Sequence, residues 1–291
     1  HAHLVGIGGV SMSPLAEVLH NAGVVISGSD LHESAAVAHL RALGIPVVIG
    51  HRGESVQGAG CVIRTAAVHD DNPEIAAAHA AGIPVFERAE AWGAIMRRYE
   101  HALCVAGTHG KTTTTSMLTE ILMEAQKDPT ISVGGMLDAI GGNIRVGHSE
   151  TFLTEACEYT NSFLSFFPKI GIILNIEEDH LDFFKDLADI RASFRKFAQL
   201  LPADGTLFIN GDIENWQEIT EGLACRVVTF GTTSASDYYP SDISYNKTAD
   251  ATFTVHSLNG QTRQLTLGVP GEHNISNALA AVALSLSLIH I

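Results

Sequence analysis

The sequence predicts an α/β protein with two parallel-sheet domains in succession, the first Rossmann-like and the second a P-loop ATPase-like α/β domain with an added β subregion. Short apolar runs alternate with amphipathic helical stretches from residue 1 to about 97, which is the pattern of strands joined by crossover helices. A second α/β pattern opens near residue 98 with an apolar run, a glycine turn and a helix. Residues 203–270 are strand-rich and polar, so we expect a β subregion packed on the second domain. The predicted domains are therefore 1–97 and 98–291.

The composition is that of a globular protein with small-molecule ligands. The chain has 291 residues, of which 46% are hydrophobic and 17% charged, enough for two packed cores. Its net charge of −15 argues against nucleic-acid partners, which need a basic face. The four cysteines lie far apart, which favours a reduced, cytoplasmic protein. The sequence has no signal peptide and no run of ~18 apolar residues, so we expect no membrane anchor.

The first apolar run ends in a glycine turn, GIGGVSMS, at residues 6–13. It matches a dinucleotide-binding fingerprint only in part, because Gly6 and Gly8 are present but Ser11 replaces the third glycine. The second run ends in Asp30, near the distance of ~20 residues expected for an acid that binds a ribose hydroxyl. These residues leave open a diphosphate ligand such as NAD or a plain strand-to-helix turn in which Asp30 is a cap.

The second domain opens with LCVAGTHGKTTTT, residues 103–115, which is typical of a phosphate-binding loop. Lysine supplies a point charge to phosphate, and the following hydroxyl holds Mg²⁺. The usual spacing would place a glycine at Val105, so this is a shortened variant. The alternative is a turn that only joins a strand to a helix. The predicted nucleotide-binding residues of the loop are Gly107, Thr108, His109, Gly110, Lys111, Thr112 and Thr113.

Acidic residues follow two buried strands of this domain. The run Thr151–Ala156 carries Glu155 near its end and leads into Glu158, and the run Ile170–Ile176 leads into EEDHLD with His180. Because ligands bind at the carboxyl ends of strands in α/β sheets, an acid from one strand and a histidine from the next can share a metal with a threonine of the loop and nucleotide oxygens. Taken alone, His180 reads as an ordinary surface histidine.

The segment GEHNISNALAAVAL, residues 271–284, reads as a loop followed by a helix. Asn274 and Asn277 lie near the start of that helix. They are either parts of a capped helix or amides that read an adenine edge, because each amide offers both a donor and an acceptor.

Taken together and in order, the motifs resemble the Mur ligases of bacterial peptidoglycan synthesis. They are GIGGVSMS, GSD, TAAVHDDNPE, GTHGKTTTT, EACEYTNSF, LNIEEDHLD and HNISNALAA, and they cover essentially the entire chain. The resemblance implies an ATP-dependent ligase that joins L-alanine to the carboxylate of UDP-N-acetylmuramate through an acyl phosphate. The first domain of that family holds the UDP-sugar and the second holds ATP and Mg²⁺. A third domain of the family brings in the amino acid and is absent from this sequence.

The resemblance also implies roles for particular residues. Lys111, Glu155 and His180 would be catalytic, with Lys111 on the ATP phosphates and Thr112, Glu155 and His180 as Mg²⁺ ligands. Asn274 and Asn277 would lie near the adenine. The UDP-sugar would contact Gly6, Gly8, Gly9, Ser11 and Asp30. Two residues depart from the family pattern, namely Ser11 in place of glycine and Cys157 in place of aspartate.

Three alternatives remain open at this point. A sibling ligase attaches a recycled murein peptide to the same UDP-sugar, and a third-domain sequence would separate the two. An NAD-dependent dehydrogenase would explain Gly6 and Asp30 but not Lys111, Glu155 and His180. A two-domain fragment would bind UDP-sugar and ATP without catalysis.

The last six residues, LSLIHI, resemble a translated sequencing adaptor.

Overall fold

The computed structural model describes residues 1–290, with the side chains of residues 1–288. Residue 291, the last of the six adaptor-like residues, lies outside the described part of the chain. The chain folds into two compact units, His1–Ile95 and Met96–Ile291. None of the helices within residues 1–290 combines the length and the apolar character needed to cross a lipid bilayer.

Unit 1 is a parallel five-stranded sheet in the order β3-β2-β1-β4-β5, as the alternating pattern predicts. Its strands are β1 (Ala2–Val5), β2 (Ile26–Asp30), β3 (Val47–Ile49), β4 (Cys61–Arg64) and β5 (Val85–Glu87). Its helices are α1 (Met12–Asn21), α2 (Ala35–Ala42), α3 (Pro73–Ala80) and α4 (Arg88–Met96). Helix starts follow their local sequence signals. The Ser34 hydroxyl accepts from the Val37 N–H to cap α2, and Asn72 caps α3 directly before Pro73.

A buried carboxylate lies inside unit 1. Glu74 at the start of α3 is fully buried and accepts a 2.5 Å hydrogen bond from the Ser29 hydroxyl. His51 Nδ1 lies 3.2 Å from Glu74 Oε2, and His3 Nε2 lies 3.6 Å from Oε1. Burial acts to raise the pKa of Glu74, but the His3 ring and the Ser29 hydroxyl together outweigh it, so the net pKa is lowered. Glu74 is therefore an ionised carboxylate that connects α3 to β1 and β2.

Unit 2 is built on a seven-stranded sheet in the order β12-β11-β10-β6-β9-β7-β8, which is parallel except for β8. Its strands are β6 (His101–Ala106), β7 (Thr130–Leu137), β8 (Gly142–Arg145), β9 (Thr151–Ala156), β10 (Ile170–Ile173), β11 (Thr206–Asn210) and β12 (Arg226–Phe230). Its helices are α5 (Lys111–Glu124), α6 (Leu187–Ala198), the short α7 (Gln217–Thr220) and α8 (His273–His290). Strand β6 lies between β9 and β10, which brings the two acid-bearing strand ends to either side of the loop that follows β6.

The β-rich region is smaller than the sequence suggests. β11 and β12 extend the main parallel sheet, because α6 carries the chain back so that β11 runs parallel to β10. Only β13 (Tyr239–Tyr245), β14 (Asp250–His256) and β15 (Thr262–Pro270) form the separate antiparallel sheet. Phe253 and Val255 of β14 are buried in the same core as α8, which attaches this small sheet to the main one.

Candidate nucleotide-binding site

The loop between β6 and α5 requires glycine at two positions. Gly107 has φ +147°, and a Cβ there would lie 2.9 Å from Leu174 Cβ. Gly110 has φ +83° and is the N-cap residue directly before α5, and a Cβ there would lie 2.6 Å from Asn277 Oδ1. Helix α5 therefore starts at Lys111, and Lys111 and Thr112 stand in its first turn. That turn presents backbone N–H groups without intrahelical partners, as anion binding requires.

The loop is held by Asn175, which follows β10 and belongs to none of the predicted site residues. Asn175 accepts a 2.7 Å hydrogen bond from the His109 N–H and donates a 3.0 Å bond to the His109 carbonyl. The Thr108 hydroxyl accepts a 2.9 Å bond from the Glu177 N–H. The only sequence signal is an asparagine directly after a buried run, in LNIEED. These bonds fix the loop backbone before any ligand is present.

Lys111 lies along the loop and pairs with Glu158. Its Nζ donates to the Gly107 carbonyl at 2.5 Å, to the Thr108 carbonyl at 3.1 Å and to Glu158 Oε2 at 2.9 Å. Those three contacts match the three donors of an ammonium group. The Glu158 side chain is only 2% exposed, so this is a nearly dry ion pair in which each charge needs the other. A phosphate that reaches Lys111 has to exchange for at least one of these partners.

Thr112 and Glu155 come together on the other side of the loop. Thr112 Oγ1 donates a 3.2 Å bond to Glu155 Oε2, and the Gly134 N–H donates a 2.6 Å bond to Glu155 Oε1. A Cβ on Gly134 would lie 2.9 Å from Glu155 Oε2, so glycine allows this approach. A hydroxyl and a carboxylate are the hard oxygen ligands that Mg²⁺ prefers.

His180 lies near Glu158, the partner of Lys111. Its Nε2 lies 3.8 Å from Glu158 Oε1 and 3.9 Å from Asp179 Oδ2. The ring of Tyr159 lies against the His180 ring at a centroid distance of 4.5 Å. The Tyr159 hydroxyl donates to Asp182, which raises the pKa of Tyr159 because ionisation would set two negative charges side by side.

The donor set fits a metal that arrives with a nucleotide. Across residues 1–290, no group of three or more His, Cys, Asp or Glu side chains is arranged to hold a metal ion by itself. Mg²⁺ in phosphate sites takes one or two protein oxygens and completes its shell with water and phosphate oxygens. The oxygens of Thr112 and Glu155 match that requirement.

The two asparagines of α8 are placed beside the loop with their amides facing each other. Asn277 Nδ2 donates to Asn274 Oδ1 at 3.0 Å, and Asn274 Nδ2 donates to the Pro270 carbonyl at 2.7 Å. Each residue is only 5% exposed. Asn277 also packs against Gly110. In this structure the pair buttresses the first turn of α5.

A cavity of about 500 Å³ adjoins the loop at the carboxyl ends of β10 and β11. Asn175 lines it together with Asn210 and Asp212, and Arg191 of α6 forms part of its wall. This volume lies in the usual range for small-molecule sites. A space of ligand size therefore lies beside Asn175, the residue that holds the loop between β6 and α5.

The glycine turn of unit 1 is held by an acid. Gly6 has φ +76°, and the Gly8 N–H donates a 2.8 Å hydrogen bond to Asp30 Oδ2. Asp30 Oδ1 accepts a 3.2 Å bond from the His32 N–H. The Gly9 N–H donates to the Gly6 carbonyl at 3.1 Å. Ser11 precedes α1 without a side-chain capping bond. The structure therefore collects all five predicted residues at one strand-to-helix turn, with Asp30 engaged by the turn itself.

Family models match almost the whole chain. The Mur ligase family catalytic domain matches residues 1–100, and the Mur ligase middle domain matches residues 105–285. The chain belongs to the Mur ligase family. The sequence-based prediction of this family and of its α/β fold is thereby confirmed.

Curated relatives carry the same name at high identity. A UDP-N-acetylmuramate–L-alanine ligase from Agathobacter rectalis is 55% identical over 99% of this chain. A ligase of the same name from Lachnospira eligens is 51% identical over the full chain. The chain spans 63% and 65% of the lengths of these two relatives.

Solved structures share the fold over the full chain. The UDP-N-acetylmuramate-alanine ligase from Thermotoga maritima is 33% identical with a TM-score of 0.82, over 99% of this chain and 65% of that one. The UDP-N-acetylmuramate:L-alanyl-γ-D-glutamyl-meso-diaminopimelate ligase from Neisseria meningitides is 28% identical with a TM-score of 0.88, over 100% of this chain and 94% of that one. Both carry UDP-N-acetylmuramate and the word ligase in their names.

Proposed function

We propose that the protein to which this chain belongs joins L-alanine to the carboxylate of UDP-N-acetylmuramate at the expense of ATP, in peptidoglycan synthesis. The observation that carries the proposal is the loop between β6 and α5, after which Lys111 pairs with Glu158 and Thr112 with Glu155, two carboxylates at the end of β9 and just beyond it. The substrates are those named by the relatives that are 55% and 51% identical to this chain.

In this proposal the two units divide the substrates. Unit 1 takes the UDP-sugar, with its diphosphate at the turn formed by Gly6, Gly8 and Gly9 and bordered by Ser11 and Asp30. Unit 2 takes ATP, with its phosphates along residues 107–113. The relatives' names favour a UDP-sugar over NAD at the first turn.

The reaction we propose is acyl activation followed by amide formation. A carboxylate oxygen of the sugar attacks the γ-phosphorus, ADP leaves, and an acyl phosphate forms. The amine then attacks the acyl carbon, loses a proton, and expels inorganic phosphate. Both reactants of the first step are anions, so their mutual repulsion is the main barrier that the site has to lower.

The chain's own residues supply this charge compensation. Lys111 presents its ammonium to the phosphate oxygens, and the loop N–H groups orient the β- and γ-phosphates. Thr112, Glu155 and His180 would hold Mg²⁺, which when bound neutralises part of the phosphate charge. Glu158 keeps Lys111 at the loop until nucleotide arrives.

Binding experiments on this chain test the proposal. We expect calorimetry to detect saturable binding of UDP-N-acetylmuramate and of ATP with Mg²⁺, and none of NADH. We also expect the chain to bind without turnover, because the third domain implied by the family resemblance would supply the amine site. Binding of NADH in place of the UDP-sugar would contradict the assignment of unit 1, and an ATP affinity indifferent to Mg²⁺ would contradict the metal site.

A second candidate is the ligase that attaches a murein peptide to the same UDP-sugar. The structural match to the Neisseria meningitides ligase, with a TM-score of 0.88, supports this second candidate. The full-length protein, assayed with L-alanine and with the tripeptide L-alanyl-γ-D-glutamyl-meso-diaminopimelate as competing amines, separates the two.

We also propose a cytoplasmic location. Cys61, Cys104 and Cys225 are thiols, as is usual in a reducing compartment. Secretion of the full-length protein in an export reporter assay would contradict this.

A further inference from the structure

Tyr159 joins the two acid-rich segments that follow β9 and β10. Its ring lies against His180 with a centroid distance of 4.5 Å and an interplanar angle of 34°. Its hydroxyl donates a 2.8 Å hydrogen bond to Asp182 Oδ2, and the edge of Phe183 meets its ring at 6.0 Å and 75°. A single side chain of one segment thus makes three contacts with the turn of the other.

Within the described part of the chain, no hydrogen-bond partner at His180 Nε2 sets the plane of the ring. The nearest carboxylate oxygens, on Glu158 and Asp179, lie 3.8 and 3.9 Å from Nε2, beyond hydrogen-bond length. The backbone of His180 is left-handed at φ +51°, an uncommon conformation for a residue other than glycine. The ring is 34% exposed, so core packing does not enclose it. Tyr159 provides the face against which it rests.

The segment that carries Tyr159 is itself held firmly. Glu158, its neighbour in sequence, is buried in the ion pair with Lys111. Thr160 and Asn161 both adopt left-handed conformations, at φ +55° and +57°, which turn the chain directly after Tyr159. The side chain of Asn161 bonds to the Ser193 hydroxyl on α6. Two consecutive residues in this rare conformation persist only where the surrounding contacts determine them, a pattern that is common at functional sites.

Filling the core does not explain Tyr159. It is 38% exposed, whereas Phe163, four residues later, is fully buried and stacked on Phe197 at 4.9 Å. Tyr159 and Phe163 therefore have different structural roles. Phe163 packs the segment onto α6, and Tyr159 meets the His180 turn at the surface of the site.

We propose that Tyr159, anchored by Asp182, is a positioning residue that holds the His180 imidazole beside Glu158 and Lys111, in the orientation needed to face the metal of a bound nucleotide. This inference rests on the proposed function, in which His180 is a metal ligand. Groups that orient a metal ligand typically alter metal affinity by about 10- to 100-fold when they are removed.

The first measurement concerns the contact between the Tyr159 and His180 rings and uses metal-free protein. The ring C–H resonances of His180 can be assigned with His180→Gln, and we expect the Tyr159 ring, 4.5 Å away between centroids, to shift them upfield. We expect Tyr159→Leu to move them downfield and Tyr159→Phe, which keeps the ring and loses the Asp182 anchor, to move them less. Tyr245→Leu is the matched control, because Tyr245 is 50% exposed on β13 of the small sheet. Unmoved resonances in Tyr159→Leu would overturn the inference.

The second measurement compares ATP affinity with Mg²⁺ and with EDTA. We expect Tyr159→Leu to reduce the Mg²⁺-dependent gain in affinity by about 10-fold and to leave the affinity in EDTA unchanged, because the loop and Lys111 stay in place. If Mg²⁺ raises the ATP affinity of the wild-type chain and raises that of Tyr159→Leu by the same factor, the inference is also overturned. A wild-type chain that does not bind ATP at all would instead count against the proposed function, and the resonance shifts separate the two failures.

Discussion

The glycine turn of unit 1 and the phosphate loop of unit 2 share one plan, a strand followed by a glycine-containing turn and a helix at the carboxyl edge of a parallel sheet. They differ in what holds the turn. The Gly8 N–H of unit 1 binds the Asp30 carboxylate at 2.8 Å. The loop of unit 2 is held by Asn175 and carries Lys111, whose charge is balanced by the buried Glu158.

The turn of unit 1 is held by a negative charge, whereas the loop of unit 2 carries a positive one. An acid that binds backbone N–H groups fixes a shape but adds negative charge next to any diphosphate ligand. A lysine paired with a buried acid keeps an ammonium group at the loop, and a phosphate can replace the acid as its partner. Two turns with the same topology therefore serve different electrostatic tasks, and topology alone does not tell them apart.

Removing the cation should give the largest effect. We expect Lys111→Ala to lower the ATP affinity of this chain roughly 10- to 150-fold, because a hydrogen bond to a charged group contributes about 1.5–3 kcal/mol. UDP-N-acetylmuramate affinity should stay unchanged, and turnover of the full-length enzyme should be lost. Calorimetry measures the affinities, with Lys169→Ala as the control, since Lys169 pairs with Asp204 instead. Near-normal turnover of Lys111→Ala would refute the role of the loop.

Crowding the loop should give the next effect. Gly110→Ala combines a left-handed φ of +83° with a contact of 2.6 Å to Asn277, so we expect unit 2 to lose roughly 2–4 kcal/mol. Gly260→Ala is the matched control, because φ is +77° there but no atom lies within 4 Å. Chemical denaturation followed by Trp216 fluorescence in unit 2 compares the two. Equal losses would show that backbone strain alone, and not the Asn277 contact, determines the cost.

Removing the acid of unit 1 tests how its glycine turn is held. Asp30→Ala leaves the Gly8 and His32 N–H groups without their carboxylate, so we expect unit 1 to lose about 1–3 kcal/mol. Asp30→Asn keeps one oxygen acceptor and should lose less. ATP affinity should not change in either variant. A fall in ATP affinity would contradict the division of labour between the two units.

The smallest effect concerns pH and the buried Glu74. Its lowered pKa means that the native state binds fewer protons than the unfolded state. The stability it contributes is therefore complete above the unfolded pKa of about 4.3 and is lost as pH falls through the lower native pKa. We expect the free energy of unfolding to fall below about pH 5 in the wild type and to fall less steeply in Glu74→Gln. Parallel slopes for the two proteins would contradict this.

Much of the site follows from local sequence patterns. The loop between β6 and α5, the acidic residues at the ends of β9 and β10 and the glycine turn at Gly6 all lie at strand ends as predicted, because apolar runs and turn residues mark strand ends within a few positions. The partners of these residues do not follow. Glu158, rather than Glu155, takes Lys111 across 47 residues of sequence, and that choice depends on how β9 aligns with β6.

The sequence by itself determined the succession of strands and helices along the chain, the glycine-containing loop before α5 and the family, since each rests on a contiguous motif or on a periodicity of the chain. Only the tertiary structure decided that β11 and β12 extend the main sheet, that Asn274 and Asn277 face each other against Gly110, and that Tyr159 rests on His180. Each of these is a contact between segments far apart in the chain. Such contacts depend on strand order, register and packing, and no local pattern of residues encodes those.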